Sequence, residues 1–201
     1  MPLYDTAGQS QDLTSTTESR TVTLDTNCLI SLAKREPAAA SIEALILGHR
    51  AGSLTLRVVA ASASERGPAG VSLENYYGFQ QFVRSLGLGD LPVLLPLGIF
   101  GVTYWDHAIW GDDEGRMGSV LDKIWAILFA NAPRMLSADT PDRNRLCDAL
   151  MMWAHIYHDG QVFITSDQHF HAATKKPRLI ALGAGQILTP EQAVSALSGS
   201  K

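Results

Sequence analysis

Cysteine is nearly missing from this 201-residue chain, which carries only Cys28 and Cys147. Two thiols are too few for a disulfide scaffold, and the expected compartment is a reducing cytoplasm. Positive charge is also short: 16 Lys and Arg against 20 Asp and Glu give a net charge of −4. A protein that grips nucleic acid through a broad basic face shows the opposite balance. The acidity therefore argues against tight, metal-free, non-specific binding. It leaves nucleic acid open as a substrate, because a few local cations and bound divalent ions can hold a phosphate backbone. Long apolar runs are absent as well. The longest, residues 91–102, is broken by Pro92, Pro96, Gly98 and Gly101 and falls short of the ~20 residues a membrane helix needs. No membrane partner is expected. The first twenty residues lack a basic start and an apolar block, so they do not read as a secretory signal. They are polar and read as a mobile tail, with a second short tail at residues 198–201.

What the sequence does contain is the material for a core: 46% of residues are hydrophobic and 18% charged. The length suits one domain, residues 21–197, with a sizeable insertion at about 66–140. Thr21–Leu24 reads as a buried strand, and Asp25-Thr26-Asn27 turns it into a short helix through Cys28–Leu32. A helix over Ala38–Arg50 and a strand over Leu54–Ala60 follow. Inside the insertion, helices are predicted at Leu73–Leu86 and Gly118–Ala130. Beyond it come a helix at Asn144–His158, a strand at Val162–Thr165, and extended pieces at Arg178–Ala181 and Gln186–Leu188. Thr189-Pro190-Glu191 opens a last helix with Thr as N-cap and Pro at the first position. Alternating strands and helices predict an α/β fold: three α/β/α layers, a mainly parallel central sheet and a largely helical insertion.

In such sheets, ligand sites gather outside the carboxyl ends of the strands. Asp25, Glu65 and Asp167 each fall just after a predicted strand, and Asp148 lies on the helix that leads into the last of these. On a helical wheel Leu146, Leu150, Trp153 and Tyr157 share one stripe, with Asp148 well away from it. Acids converging at one sheet edge repel unless a divalent cation neutralises them, and all-oxygen ligands suit Mg²⁺ or Mn²⁺ rather than zinc.

Each residue also has a plainer reading. Asp25 and Asp167 can be helix caps, and Glu65 a solvated loop carboxylate. His169 and His171 read as surface polar groups, and His155 and His158 as packing or surface residues of their helix. Asp112-Asp113-Glu114 reads as a solvated turn. Arg143, Arg145, Lys175, Lys176 and Arg178 read as ordinary charged surface, although they lie near the acids in sequence. Cys28 and Cys147 read as small buried fillers. Tyr76, Tyr77, Tyr104, Trp105 and Trp110 read as packing of the insertion rather than as base-stacking platforms.

Three segments together carry a family likeness. TVTLDTNCLISL resembles the opening strand and turn of PIN domains. RNRLCDALMMWAHIYHDGQVFITSDQHF resembles their later helix and strand, and ILTPEQA their closing strand and helix. The likeness covers about residues 21–65 and 143–197. It implies a nuclease in which Asp25, Glu65, Asp148 and Asp167 are catalytic and Asp25, Asp148 and Asp167 bind Mg²⁺ or Mn²⁺. Asn27, Asn144, Thr165 and Ser166 would support them by hydrogen bonds. The implied chemistry is metal-assisted phosphodiester hydrolysis of RNA, with single-stranded RNA the expected substrate. An antitoxin or other protein partner and a homodimer are both compatible with it. The competing readings are a PIN-fold binding or assembly module that does not cut, and a phosphotransferase of the haloacid dehalogenase type. The latter wants a second Asp where this chain has Asn27.

Overall fold

A computed structural model describes residues 19–64, 75–111, 115–130, 132 and 140–198. Among these residues five strands form one sheet: β1 (Arg20–Leu24), β2 (Leu54–Val59), β3 (Val93–Leu94), β4 (Val162–Ile164) and β5 (Gln186–Leu188). Their order is β3-β2-β1-β4-β5, and every pairing is parallel. Val22 in the central strand is in register with Leu56 on one side and Val162 on the other.

Eight α-helices are seen among the described residues: α1 (Thr26–Lys34), α2 (Ala39–Arg50), α3 (Tyr76–Ser85), α4 (Arg116–Phe129), α5 (Thr140–Tyr157), α6 (Gln168–His171), α7 (Lys176–Leu179) and α8 (Pro190–Ser198). Side chains alternate along each strand and so divide the core in two. Val22, Leu24, Leu56, Val58, Val162 and Ile164 pack against α1, α2, α3 and α8. On the opposite face Val59, Phe163 and Ile187 pack against α4, α5, α6 and α7. The fold is the expected three-layer α/β/α arrangement around a parallel sheet, and strands buried on both faces explain their nearly unbroken apolar runs.

Among its described residues the insertion supplies α3 and α4, and it also supplies the edge strand β3. Two residues beside Pro92 carry no period of their own; pairing with Val58 and Val59 makes them a strand. Arg178–Ala181 is not extended. Pro177 stands in the first turn of α7, and the chain then makes a π-type turn, Ile180–Ala184, broken inside by Gly183 at positive φ. Nor is α5 a one-stripe helix: Leu146, Cys147 and Ala149 through Ala154 are all buried. The helix is packed on several sides, against α4, the turn after β2 and the π-type turn before β5.

His155 lies inside this layer, fully buried. Its Nε2 faces the Ala184 carbonyl at 2.9 Å and its Nδ1 faces the Thr23 hydroxyl at 2.8 Å. A carbonyl only accepts, so Nε2 carries the proton and Nδ1 accepts from Thr23. Burial pushes the ring pKa down to about 4. NMR of the ring nitrogens should therefore show the neutral Nε2–H tautomer through pH 5, with a titration midpoint near 4. A midpoint above 6 would contradict this placement.

Candidate active site at the switch point of the sheet

From β1 the chain winds outward through β2 and β3, then returns to lay β4 and β5 on the other side of β1. The crevice outside the carboxyl ends of β1 and β4 is thus the topological switch point, where open parallel sheets bind ligands. Asp25 follows β1 directly, and Thr165, Ser166 and Asp167 follow β4. The backbone fastens the two ends together, because the Asp25 N–H donates to the Ile164 carbonyl at 3.0 Å.

Asp25 occupies the N-cap position of α1 but makes no capping hydrogen bond there. Its side chain turns into the sheet edge and is 3% exposed. The Thr165 hydroxyl donates to Oδ2 at 2.5 Å, and the Asn27 amide donates to the same oxygen at 2.7 Å. Asn27 reaches across as well, donating to Thr165 Oγ1 at 3.0 Å and accepting from the Ser166 N–H at 3.2 Å. Burial, in the first place, raises the Asp25 pKa to about 6, and the nearby charge of Asp167 adds to the rise; the Thr165, Thr26 and Asn27 donors oppose it. Among the described residues no Lys, Arg or His forms an ion pair with Asp25.

Asp167 is a helix cap that faces a groove. Its Oδ1 accepts from the His169 N–H at 2.8 Å as the cap of α6, and it also lines an open groove of about 400 Å³. Asp148, half-buried on α5, lines the same groove. Asn144 is half-buried one turn before Asp148. Glu65 lies outside the described residues, as do Asp112, Asp113 and Glu114. Ser64, just before Glu65, is buried, and Arg143 on α5 donates to its carbonyl at 2.7 Å. A second bond from Arg143 reaches Gly101 at 3.1 Å. Arg143 is therefore a clamp between α5 and the turn after β2, not a free surface cation.

Among the described residues no three or more His, Cys, Asp or Glu stand close enough to hold a metal ion. The donors present nonetheless suit a hard divalent cation. Asp25, Asp148 and Asp167 offer carboxylate oxygen only, and Asp25 is a buried carboxylate with an acid neighbour and, among the described residues, no paired cation.

Two groups read from the sequence as plain surface meet beside the acids. Lys175 Nζ donates to the Leu128 carbonyl at 2.6 Å and to His169 Nδ1 at 2.8 Å, and both residues line the groove. No linear signal joins them, since they meet only through the bend after α6. The aromatics of the insertion depart from the core packing expected of them. Tyr77 is 65% and Trp105 66% exposed, and Tyr76 stacks on His107 at a centroid distance of 3.4 Å. Cys28 and Cys147 are buried fillers, as expected. No described helix is long and apolar enough to cross a membrane. Comparison with protein-family models, curated proteins and solved structures found no match to this chain.

Proposed function

We propose that this chain is a divalent-cation-dependent endoribonuclease of the PIN type. The observation that carries the reading is the position of the acids. Asp25 and Asp167 flank the switch point of a parallel sheet, and Asp148 shares a groove with Asp167. Asp25, Asp148 and Asp167 would hold Mg²⁺ or Mn²⁺, with Glu65 as the fourth acid. When bound, the cation supplies water activation at neutral pH and neutralises charge on the phosphate. The protein's own part is positional. Thr165 and Asn27 fix the Asp25 carboxylate, the Ser166 N–H fixes Asn27, and the groove admits a strand beside Asp148 and Asp167. A protein partner, such as an antitoxin, or a second copy of the chain belongs to this reading only through the family likeness.

The test is to incubate the protein with single-stranded RNA, single-stranded DNA and a flap substrate, in Mg²⁺ or Mn²⁺ and in EDTA. RNA cleavage that stops in EDTA is expected. Cleavage that persists in EDTA would falsify the mechanism. A non-cutting module is the second reading, favoured by the absence of a formed three-ligand cluster among the described residues. It would be established by no cleavage of any substrate together with no Mn²⁺ binding in calorimetry.

A further inference from the structure

The groove beside Asp148 and Asp167 has a cationic wall that no role above uses. Lys175 stands on the bend between α6 and α7, and its stem is partly buried. Its ammonium is held from behind by the Leu128 carbonyl near the end of α4, and to one side by His169 Nδ1. An ammonium has three donors and no acceptor, so His169 Nδ1 must accept. Two consequences follow. The His169 ring carries its proton on Nε2, and among the described residues Lys175 has a third N–H left after these two bonds. Among the described residues the Lys175 bonds go to Leu128 and His169. His169 is exposed, and its ring lies 6.0 Å from that of Phe129, another residue of the groove.

The geometry points to a phosphate seat at Lys175 Nζ, steadied by His169 and placed to hold a phosphodiester of the strand next to the one that is cut. The N–H left on the ammonium can donate to a phosphate oxygen, and a charge-assisted bond of this kind is a strong one. Acids lie on the same groove, so an anion is drawn to the Lys175 side and kept from Asp148 and Asp167. Lys175 would thus be a positioning residue that sets where the backbone runs, and His169 its support. Their use on RNA rests on the nuclease reading; the seat for phosphate does not.

Two measurements separate these. Inorganic phosphate is titrated into the wild-type protein and into Lys175→Gln while the His169 ring resonances are followed. Glutamine keeps a donor for the Leu128 carbonyl, so the bend stays anchored. The resonances should move in wild type and stay in place in Lys175→Gln. No movement in wild type overturns the seat. Labelled single-stranded RNA is then bound in EDTA to the wild-type protein, Lys175→Gln and Lys175→Arg. Lys175→Gln should bind about tenfold more weakly, and its slope of log K against log salt should fall by about 1. Lys175→Arg should restore the slope, which a purely structural lysine would not require. In Mg²⁺, KM should rise while kcat changes less than about twofold. If wild type cleaves RNA and Lys175→Gln binds it equally well with the same slope, the inference fails and the nuclease reading survives. If wild type neither cuts nor binds RNA, yet phosphate moves His169 in a Lys175-dependent way, the nuclease reading fails and the seat stands.

Discussion

Asp25→Asn should abolish RNA cleavage, by ~10³-fold or more, and at the same time make the metal-free protein harder to melt. The two effects have one origin. Asp25 is a buried carboxylate whose pKa is raised from 3.8 to about 6, first by burial and then by Asp167. The sign is fixed by linkage: the folded state holds this proton more tightly than the unfolded chain. The stabilising contribution of the group is therefore complete below pH 3.8 and is lost as pH rises through about 6. By pH 8 the ionised carboxylate costs about 3 kcal/mol. The neutral amide keeps an oxygen for Thr165 and Asn27 and removes that cost. In EDTA at pH 8 the thermal midpoint should rise by roughly 5–10 °C over wild type, and the gap should close towards pH 4. His155 pulls the other way, since its pKa is lowered to about 4 and its stability is lost as pH falls from 6.5. With Asp25 gone, that acid loss stands unopposed, so Asp25→Asn should show the steeper decline between pH 6.5 and 4. Mn²⁺ should raise the midpoint of wild type alone. A melting curve for Asp25→Asn at or below wild type across this range would mean that Asp25 carries no such burden.

The second large effect is far from the acids. Gly160→Ala should destabilise the fold by ~3 kcal/mol or more, seen as a fall in thermal midpoint of about 10 °C. A Cβ at this position would lie 2.1 Å from His155 Nδ1 and 2.2 Å from Cε1. The ring cannot swing aside cheaply. It is fully buried, and both nitrogens are engaged, with Thr23 and with Ala184. Moving it leaves a hydroxyl and a carbonyl unpaired inside the core. The double variant Gly160→Ala/His155→Ala checks the cause, because removing the ring opens space for the methyl. Its loss should be clearly smaller than the sum of the two single losses. Simple additivity would place the damage elsewhere.

The parts of the fold that could be read in advance are those that carry local chemistry. Thr21–Leu24 and Val162–Ile164 are apolar and β-branched beside polar turns, and the Thr-Pro-Glu start of α8 is a capping signal; each is an element in the structure. Asp25, Asn27, Thr165, Ser166 and Asp167 meet because two such strands end side by side. Elements made by distant partners were illegible. Val93–Leu94 is a strand only because β2 lies beside it. Residues 178–181 look extended by composition, yet Pro177 starts a helical turn there and Leu179 is buried against α4 and α5. The wheel of α5 showed one stripe, while the helix is packed on several faces. Lys175 and His169 are six residues apart with no motif between them, and their pairing depends on the Leu128 carbonyl of another helix.

The middle position of β1 has a consequence for the order in which the molecule comes into being. During synthesis β1, β2 and β3 emerge first and can pair, leaving the other edge of β1 open. That edge is closed only by β4, and the bond from Thr165 to Asp25 spans 140 residues. Contacts of such separation are late events, slow because a long loop must be closed. Until then the nascent chain presents an unpaired apolar strand, the stage at which it is most exposed to aggregation and to chaperones. The acidic crevice thus has no earlier form. Asp25 gains its buried setting, its hydroxyl donor and its acid neighbour together, once residues 165–167 have left the ribosome.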